Sequence, residues 1–126
     1  MVNYSVGDFL VRIKNAVMAG RREIVVPETK LIKAVAEVLK KEGYLESVTS
    51  KEDGKLTVSL AYHKKEPVLI NLKLVSKPGL RVYMAVDELS KIRGISKFVL
   101  STPIGVMSTK EALKSGVGGE VLVEVW

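Results

Sequence analysis

The stretch STPIGVMSTKEALKSGVGGEVLVEVW, Ser101 to Trp126, decides how this chain is read. It opens with the hydroxyl-rich, Gly/Pro-punctuated loop Ser101-Thr102-Pro103-Ile104-Gly105. Ser108 follows, with Glu111 three positions on, the residue types of a reciprocal capping box at a helix start. After that short helix come Gly116, Gly118 and Gly119, and then a closing strand, Val121 to Trp126. Hydroxyls and glycines supply donors and acceptors on a surface that another molecule's backbone can approach. Two ordinary tight turns are the plain alternative, and residue types alone do not separate the two.

Working back from this stretch, Phe98 to Leu100 reads as the strand that leads into the loop. Asp87 is placed to cap a helix of about two turns that ends near Gly94. Val68 to Val75 alternates with period two, Ser76-Lys77-Pro78-Gly79 turns, and Leu80 to Ala85 returns as a short strand. Nearer the N-terminus, Val6, Phe9, Leu10, Ile13, Ala16 and Val17 form an amphipathic stripe over 5–19, with Ser5 as N-cap and Gly20 as stop. Glu23 to Val26 is a short β-branched strand. Thr29 caps a second helix in which Leu31, Val35, Val38 and Leu39 face inward, ended by Gly43. Tyr44 to Thr49 and Lys55 to Tyr62 are strands joined around Asp53-Gly54, a strong hairpin signal. Leu56, Val58, Leu60 and Tyr62 alternate with polar or small residues, so one face is expected to be buried.

Helices and strands mix without a regular βαβ repeat, which points to an α+β fold. Lys64-Lys65-Glu66-Pro67 is the natural break. It divides the chain into an αβαββ unit, residues 1–64, and a sheet-rich unit, residues 65–126. With no low-complexity linker between them, two small subdomains sharing an interface fit better than two free domains.

The chain has 126 residues, 47% of them hydrophobic, which at this length suffices to bury roughly two-thirds of the unfolded surface. Lys plus Arg number 20 against 14 Asp plus Glu, for a net charge of +6. A moderate positive balance on a small protein points to an anionic partner, nucleic acid above all. Cysteine is absent, which removes disulfides and thiolate metal sites. No apolar run is long enough to cross a membrane and the N-terminus lacks a signal-peptide pattern, so a cytoplasmic protein is expected. Catalysis finds little support. The single histidine, His63, sits beside Lys64 and Lys65 with no metal or triad partner nearby. No HExxH, GxSxG or phosphate-loop motif occurs, and Gly116-Val117-Gly118-Gly119 lacks the Lys-Ser/Thr of a nucleotide loop. Nothing in these residues calls for a cofactor or a metal.

Charge is distributed unevenly. From Lys73 to Lys114 lie Lys73, Lys77, Arg81, Lys91, Arg93, Lys97, Lys110 and Lys114 against only Asp87, Glu88 and Glu111. Phe98 to Thr109 carries no charge at all. A neutral recognition loop flanked by phosphate-binding cations has this composition: basic residues give affinity and hydroxyls read shape. Arg81 and Tyr83 alternate on one short strand, where a guanidinium can meet phosphate and a ring can stack on a base. For Tyr83 a half-buried sheet position is the competing reading. Glu120 is the one acid in the glycine segment. It either accepts hydrogen bonds from RNA or braces its own loop by accepting backbone N–H bonds.

Nearly the whole chain resembles the bacterial small-subunit ribosomal protein eight family. The resemblance runs through DFLVRIKNA (Asp8 to Ala16), KLIKAVAEVLKKEGYLESV (Lys30 to Val48), SKPGLRVY (Ser76 to Tyr83) and the terminal stretch quoted above. It implies a structural, non-enzymatic protein of the small ribosomal subunit, folded as two packed α+β subdomains. It further implies primary binding to the central domain of 16S ribosomal RNA, with proteins five and twelve as neighbours. The chain is then a monomer when free, with no membrane partner, and in some members the same site binds the operon's own messenger RNA. Carried over by position, the RNA contacts are Ser101, Thr102, Gly105, Gly118, Gly119, Glu120 and Tyr83, with Lys30 from the N-terminal unit. Arg81, Lys77 and Lys97 join them as phosphate-binding cations. One departure stands out: many members read Ser-Thr-Ser-Lys-Gly where this chain has Ser-Thr-Pro-Ile-Gly. A regulatory RNA-binding module, and a protein-interaction module or enzyme with an unrecognised site, remain the competing classes.

Overall fold

Val6, Phe9, Leu10, Ile13 and Ala16 recur every three or four residues, so a helix through them buries one face. In the computed structural model, which describes residues 5–94 and 96–126, they are buried on α1 (Ser5–Met18). Ser5, expected as the cap, is already helical, and the position before it lies outside the described residues. Gly20 closes the helix with φ 71°, letting Arg21 N–H reach back to the Ala16 carbonyl at 2.9 Å.

β1 (Glu23–Pro27) leads into α2 (Lys30–Lys41), where the Thr29 hydroxyl oxygen accepts from Ile32 N–H at 3.1 Å. Ile32, Val35, Ala36, Val38 and Leu39 face the core. Leu31, expected inside, is 37% exposed, because it sits in the first turn on the rim of that stripe. β2 (Leu45–Ser50) and β3 (Lys55–Leu60) form the expected hairpin, and β3 sits centrally in an antiparallel sheet of order β1-β3-β2. Leu56, Val58 and Leu60 are buried in alternation.

Tyr62 departs from that strand. It belongs to a separate ribbon, β4 (Tyr62–His63) against β5 (Glu66–Pro67), turning at Lys64 and Lys65 with φ of 51° and 70°. What reads as a break is therefore a tight hairpin with two left-handed residues, the geometry of a primed turn.

The second unit holds β6 (Leu72–Leu74), β7 (Tyr83–Met84), α3 (Val86–Ser90), β8 (Lys97–Thr102), β9 (Gly105–Ser108), α4 (Thr109–Ser115) and β10 (Gly119–Val125). Its antiparallel sheet runs β6-β10-β8-β9, with β7 also on β10. Both expected strands are shorter than their alternation suggests, for one reason. β6 and β7 are two pieces of a single edge strand along β10: Leu72 opposes Val125 and Leu74 opposes Val123, while Tyr83 opposes Glu120 and Met84 opposes Gly119. Between them residues 77–81 leave the ladder. Ser76, fully buried, clips the excursion shut: its hydroxyl oxygen accepts from Val82 N–H at 2.9 Å, and the hydroxyl donates to the Val82 carbonyl at 3.2 Å.

α3 is a single turn preceded by Ala85, whose N–H donates to the Glu88 carboxylate at 3.1 Å. Asp87 lies inside that turn instead of capping it, and the helix stops at Ser90, short of Gly94. The loop 101–105 is also more regular than expected. Ser101 and Thr102 end β8, Gly105 begins β9, and only Pro103 and Ile104 form the tip. β9 escapes the sequence reading because Val106 and Met107 follow the Pro/Gly punctuation too closely to show a period. Ser108 does cap α4, accepting from Glu111 N–H at 3.4 Å. The Glu111 carboxylate does not return the bond; it pairs with Lys41 at 2.8 Å and ties α4 to α2. A core of α1, α2 and first-sheet residues continues through Leu69, Leu72, Val99, Leu122, Val123 and Val125, so the two sheets share it. Leu100, Met107 and Val121 pack with Leu89 and Ala112 in a second cluster, under α3 and α4.

Candidate nucleic-acid interface

Antiparallel register places residues that are distant in sequence side by side. Tyr83 on β7 lies directly opposite Glu120 on β10, and Glu120 directly opposite Ser101 on β8. Directly opposed residues point to the same face. Tyr83, Glu120 and Ser101 thus form a row across three strands, ending beside the Pro103-Ile104 tip. Tyr83 is 67% exposed, so the half-buried sheet position does not describe it. Arg81 stands on the 77–81 excursion instead of a shared strand, and its guanidinium donates to the Glu120 carboxylate at 3.2 Å.

That ion pair bears on what Glu120 does. Bracing by backbone N–H groups of the glycine segment is not found among the described residues; this half-buried carboxylate accepts instead from Arg81. An acid so held stays oriented as an acceptor, while the exposed cation beside it offsets repulsion from an approaching phosphate.

The two hydroxyls differ. Thr102 Oγ1 donates to the Gly105 carbonyl at 2.6 Å and accepts from Ile104 N–H at 3.3 Å, so it is spent on the turn. The Ser101 hydroxyl has no partner among the described residues. Gly105, with φ 135°, supplies a conformation at the tip that other residues rarely adopt.

Gly118 and Gly119 are glycines for a reason internal to the fold. A Cβ on Gly118 would meet the Met84 carbonyl oxygen at 2.3 Å, and one on Gly119 the Ser101 carbonyl oxygen at 2.3 Å. Bare backbone at these two positions lets β7 and β8 close on β10 and brings Tyr83 and Ser101 to Glu120.

Of the flanking cations, the structure gathers some and not others. The Lys41–Glu111 pair fixes the end of α2 near the Ser108 end of β9, and Ala34 and Val38 line a groove with Val106. The opposite end of α2, which begins at the exposed Lys30, therefore lies on the hairpin-tip side. Lys77 is exposed on the excursion that also carries Arg81. Lys97 is the exception. It lies at the other end of β8 from Ser101, 3.9 Å from the Glu42 carboxylate and 5.6 Å from the Tyr44 ring centroid. Glu42 also helps push the Tyr44 hydroxyl pKa upward, after burial as the larger cause. Among the described residues no cluster of His, Asp and Glu is arranged to hold a metal ion.

The description of the family model that matches residues 5–126 is ribosomal protein S8. The chain belongs to the ribosomal protein S8 family. Among its relatives, the small ribosomal subunit protein uS8 of Nitratidesulfovibrio vulgaris is 43% identical over 127 residues, covering 100% of both chains. That of Thermosynechococcus vestitus is 44% identical, covering 99% of this chain and 98% of the relative. That of Caldanaerobacter subterraneus is 44% identical over 96% of each. The family is one of ribosomal proteins, not of enzymes, which removes the competing enzyme reading.

Three elements of the interface escape sequence reasoning: the Ser76 clip, the β9 strand and the commitment of the Thr102 hydroxyl to the turn. Proximity to Pro78-Gly79 hints at the first. The other two depend on which residues meet across the hairpin.

Proposed function

We propose that this ribosomal protein S8 family member is a structural constituent of the small ribosomal subunit, working in the cytoplasmic ribosome. It binds 16S ribosomal RNA directly, in the central domain, and supports assembly of the subunit. The observation that carries the reading is the row Tyr83–Glu120–Ser101, an aromatic ring, an oriented acceptor and an unpartnered hydroxyl on neighbouring strands. A regular A-form helix shuts side chains out of its deep, narrow groove and leaves its bases stacked, so such a row suits a bulge, base triple or other widened site. Lys30 and Lys77 then hold flanking phosphates, with Arg81 beside the acceptor. Division into units 1–64 and 65–126 lets both contribute, Lys30 from the first and the row from the second. Small-subunit proteins five and twelve are the proposed neighbours, and the operon's messenger RNA would compete for the same surface in a repressor.

Chemical footprinting on naked 16S ribosomal RNA, with excess transfer RNA as competitor, tests this. A protected patch in the central domain that survives competition is the expected result. Protection spread evenly along the RNA, or lost to transfer RNA, would end the specific-binding reading.

A further inference from the structure

Among the described residues β1 pairs only with β3, so its other side is a sheet edge. Leu60 N–H donates to the Arg22 carbonyl at 2.8 Å, and Ile24 stands opposite Val58. Bonded pairs alternate along an antiparallel ladder, so Arg22, Ile24 and Val26 turn their peptide groups toward β3, while Glu23 and Val25 turn theirs away. Arg12 on α1 bears this out, since its guanidinium donates to the Val25 carbonyl at 3.3 Å. The N–H groups of Glu23 and Val25 and the Glu23 carbonyl remain along the open edge. Pro27, which has no N–H, marks its far end.

Strand edges invite unwanted pairing and are commonly blunted. The second sheet shows how: β6 is three residues long, and the Asn71 side-chain oxygen accepts from its first N–H, that of Leu72, at 2.8 Å. At β1 the edge instead borders a groove of about 470 Å³. Glu23 and Val25 form one wall and Arg12 and Asn15 of α1 the other. Arg21 also lines it, so two cations meet a single acid, Glu23. Val26 is buried in the core that α1 shares, which puts α1 on the face of Ile24 and Val26. Val25 points to the opposite face and is 48% exposed.

We propose that this groove takes an extended acidic segment of another protein, which joins the first sheet as a strand on β1. In strand addition main-chain bonds, here to Glu23 and Val25, supply affinity, and alternate side chains supply the choice of partner. On the open face the segment sets a β-branched side chain against Val25. On the α1 face it sets carboxylates toward Arg12, whose guanidinium has donors beyond the one given to Val25. Because Arg12 already ties α1 to the strand, the groove is preformed and the segment alone has to be ordered. Neither Arg12 nor the β1 edge takes part in the row on β7, β10 and β8. RNA binding at the row therefore stands whether or not the groove takes a peptide.

The test titrates the isotope-labelled full chain with a short blocked peptide of alternating valine and glutamate, and with its lysine-for-glutamate counterpart. The glutamate peptide is expected to shift the Glu23 and Val25 amide signals and slow their hydrogen exchange, and the lysine peptide to leave them alone. Val25→Pro removes an N–H that makes no bond to β3, and is expected to weaken the glutamate peptide at least tenfold, roughly the loss of one strand bond with its crowding. Arg12→Gln, which leaves the edge intact, is expected to narrow the preference for glutamate over lysine. Unmoved Glu23 and Val25 amides, equal binding of the two peptides, or parent-like affinity in a folded Val25→Pro variant overturns the proposal. So does a 16S ribosomal RNA transcript that covers these two amides and that the peptide cannot displace, since the groove then belongs to RNA.

Discussion

Ser101 and Thr102 carry the same functional group on adjacent residues, yet removing each should do different things. The Thr102 hydroxyl closes the tip through Gly105 and Ile104, whereas the Ser101 hydroxyl faces outward beside Glu120 without a partner among the described residues. Ser101→Ala is expected to weaken RNA binding by about 0.5–1.5 kcal/mol and to leave the melting temperature alone. Thr102→Ala is expected to lower stability by about 1 kcal/mol as well as affinity, and Thr102→Ser to restore both. Melting curves of the free variants beside binding titrations distinguish the two. If both alanine variants lose affinity at unchanged stability, the division of labour is wrong. Residue types already marked these two hydroxyls and the glycines as a candidate surface. They did not show that Gly118 and Gly119 answer to the backbones of β7 and β8, because those partners arrive from elsewhere in the chain. Gly116 answers to local chemistry instead, closing α4 with a left-handed φ of 70°.

Elements whose signals are local read well: α1 and α2 from their stripes, the β2–β3 hairpin from Asp53-Gly54. Alternation, by contrast, says which residues share a face and not where pairing stops. That is why the strands expected at 68–75 and 80–85 proved to be two short pieces of one edge strand with an excursion between. The Lys64-Lys65 hairpin poses a different problem, since nothing about two lysines announces left-handed backbone. Non-glycine residues in that conformation lose about 1–2 kcal/mol each. Lys65→Gly, at φ 70°, should relieve that strain, partly offset by the greater freedom of glycine in the unfolded chain. A net gain of about 0.5–1 kcal/mol is expected, seen as a rise of roughly 2–5 °C in melting temperature. Lys65→Ala, which loses the charge but keeps the Cβ, should not show it. A gain of equal size in the alanine variant would assign the effect to charge and not to backbone.

Across the whole molecule, the basic excess from Lys73 to Lys114 is not one patch. Lys77 rides the excursion that carries Arg81, but Lys97 is turned to Glu42 and Tyr44 at the far end of β8. Counterion release depends on which cations meet phosphate, so the salt dependence of binding reads this partition. With about 4–6 phosphates neutralised, log K should fall against log salt with a slope of roughly −3 to −5. Lys30→Ala and Lys77→Ala should each make that slope shallower by up to about one unit. Lys97→Ala should leave it nearly as it was, because its charge is already committed to an acid away from the row. Filter binding over a range of salt concentrations separates the variants. A Lys97 variant that shallows the slope as much as Lys30→Ala would mean that RNA wraps the far end of β8 too. The row at Tyr83, Glu120 and Ser101 would then be one part of a larger electrostatic surface, with discrimination left to the neutral tip.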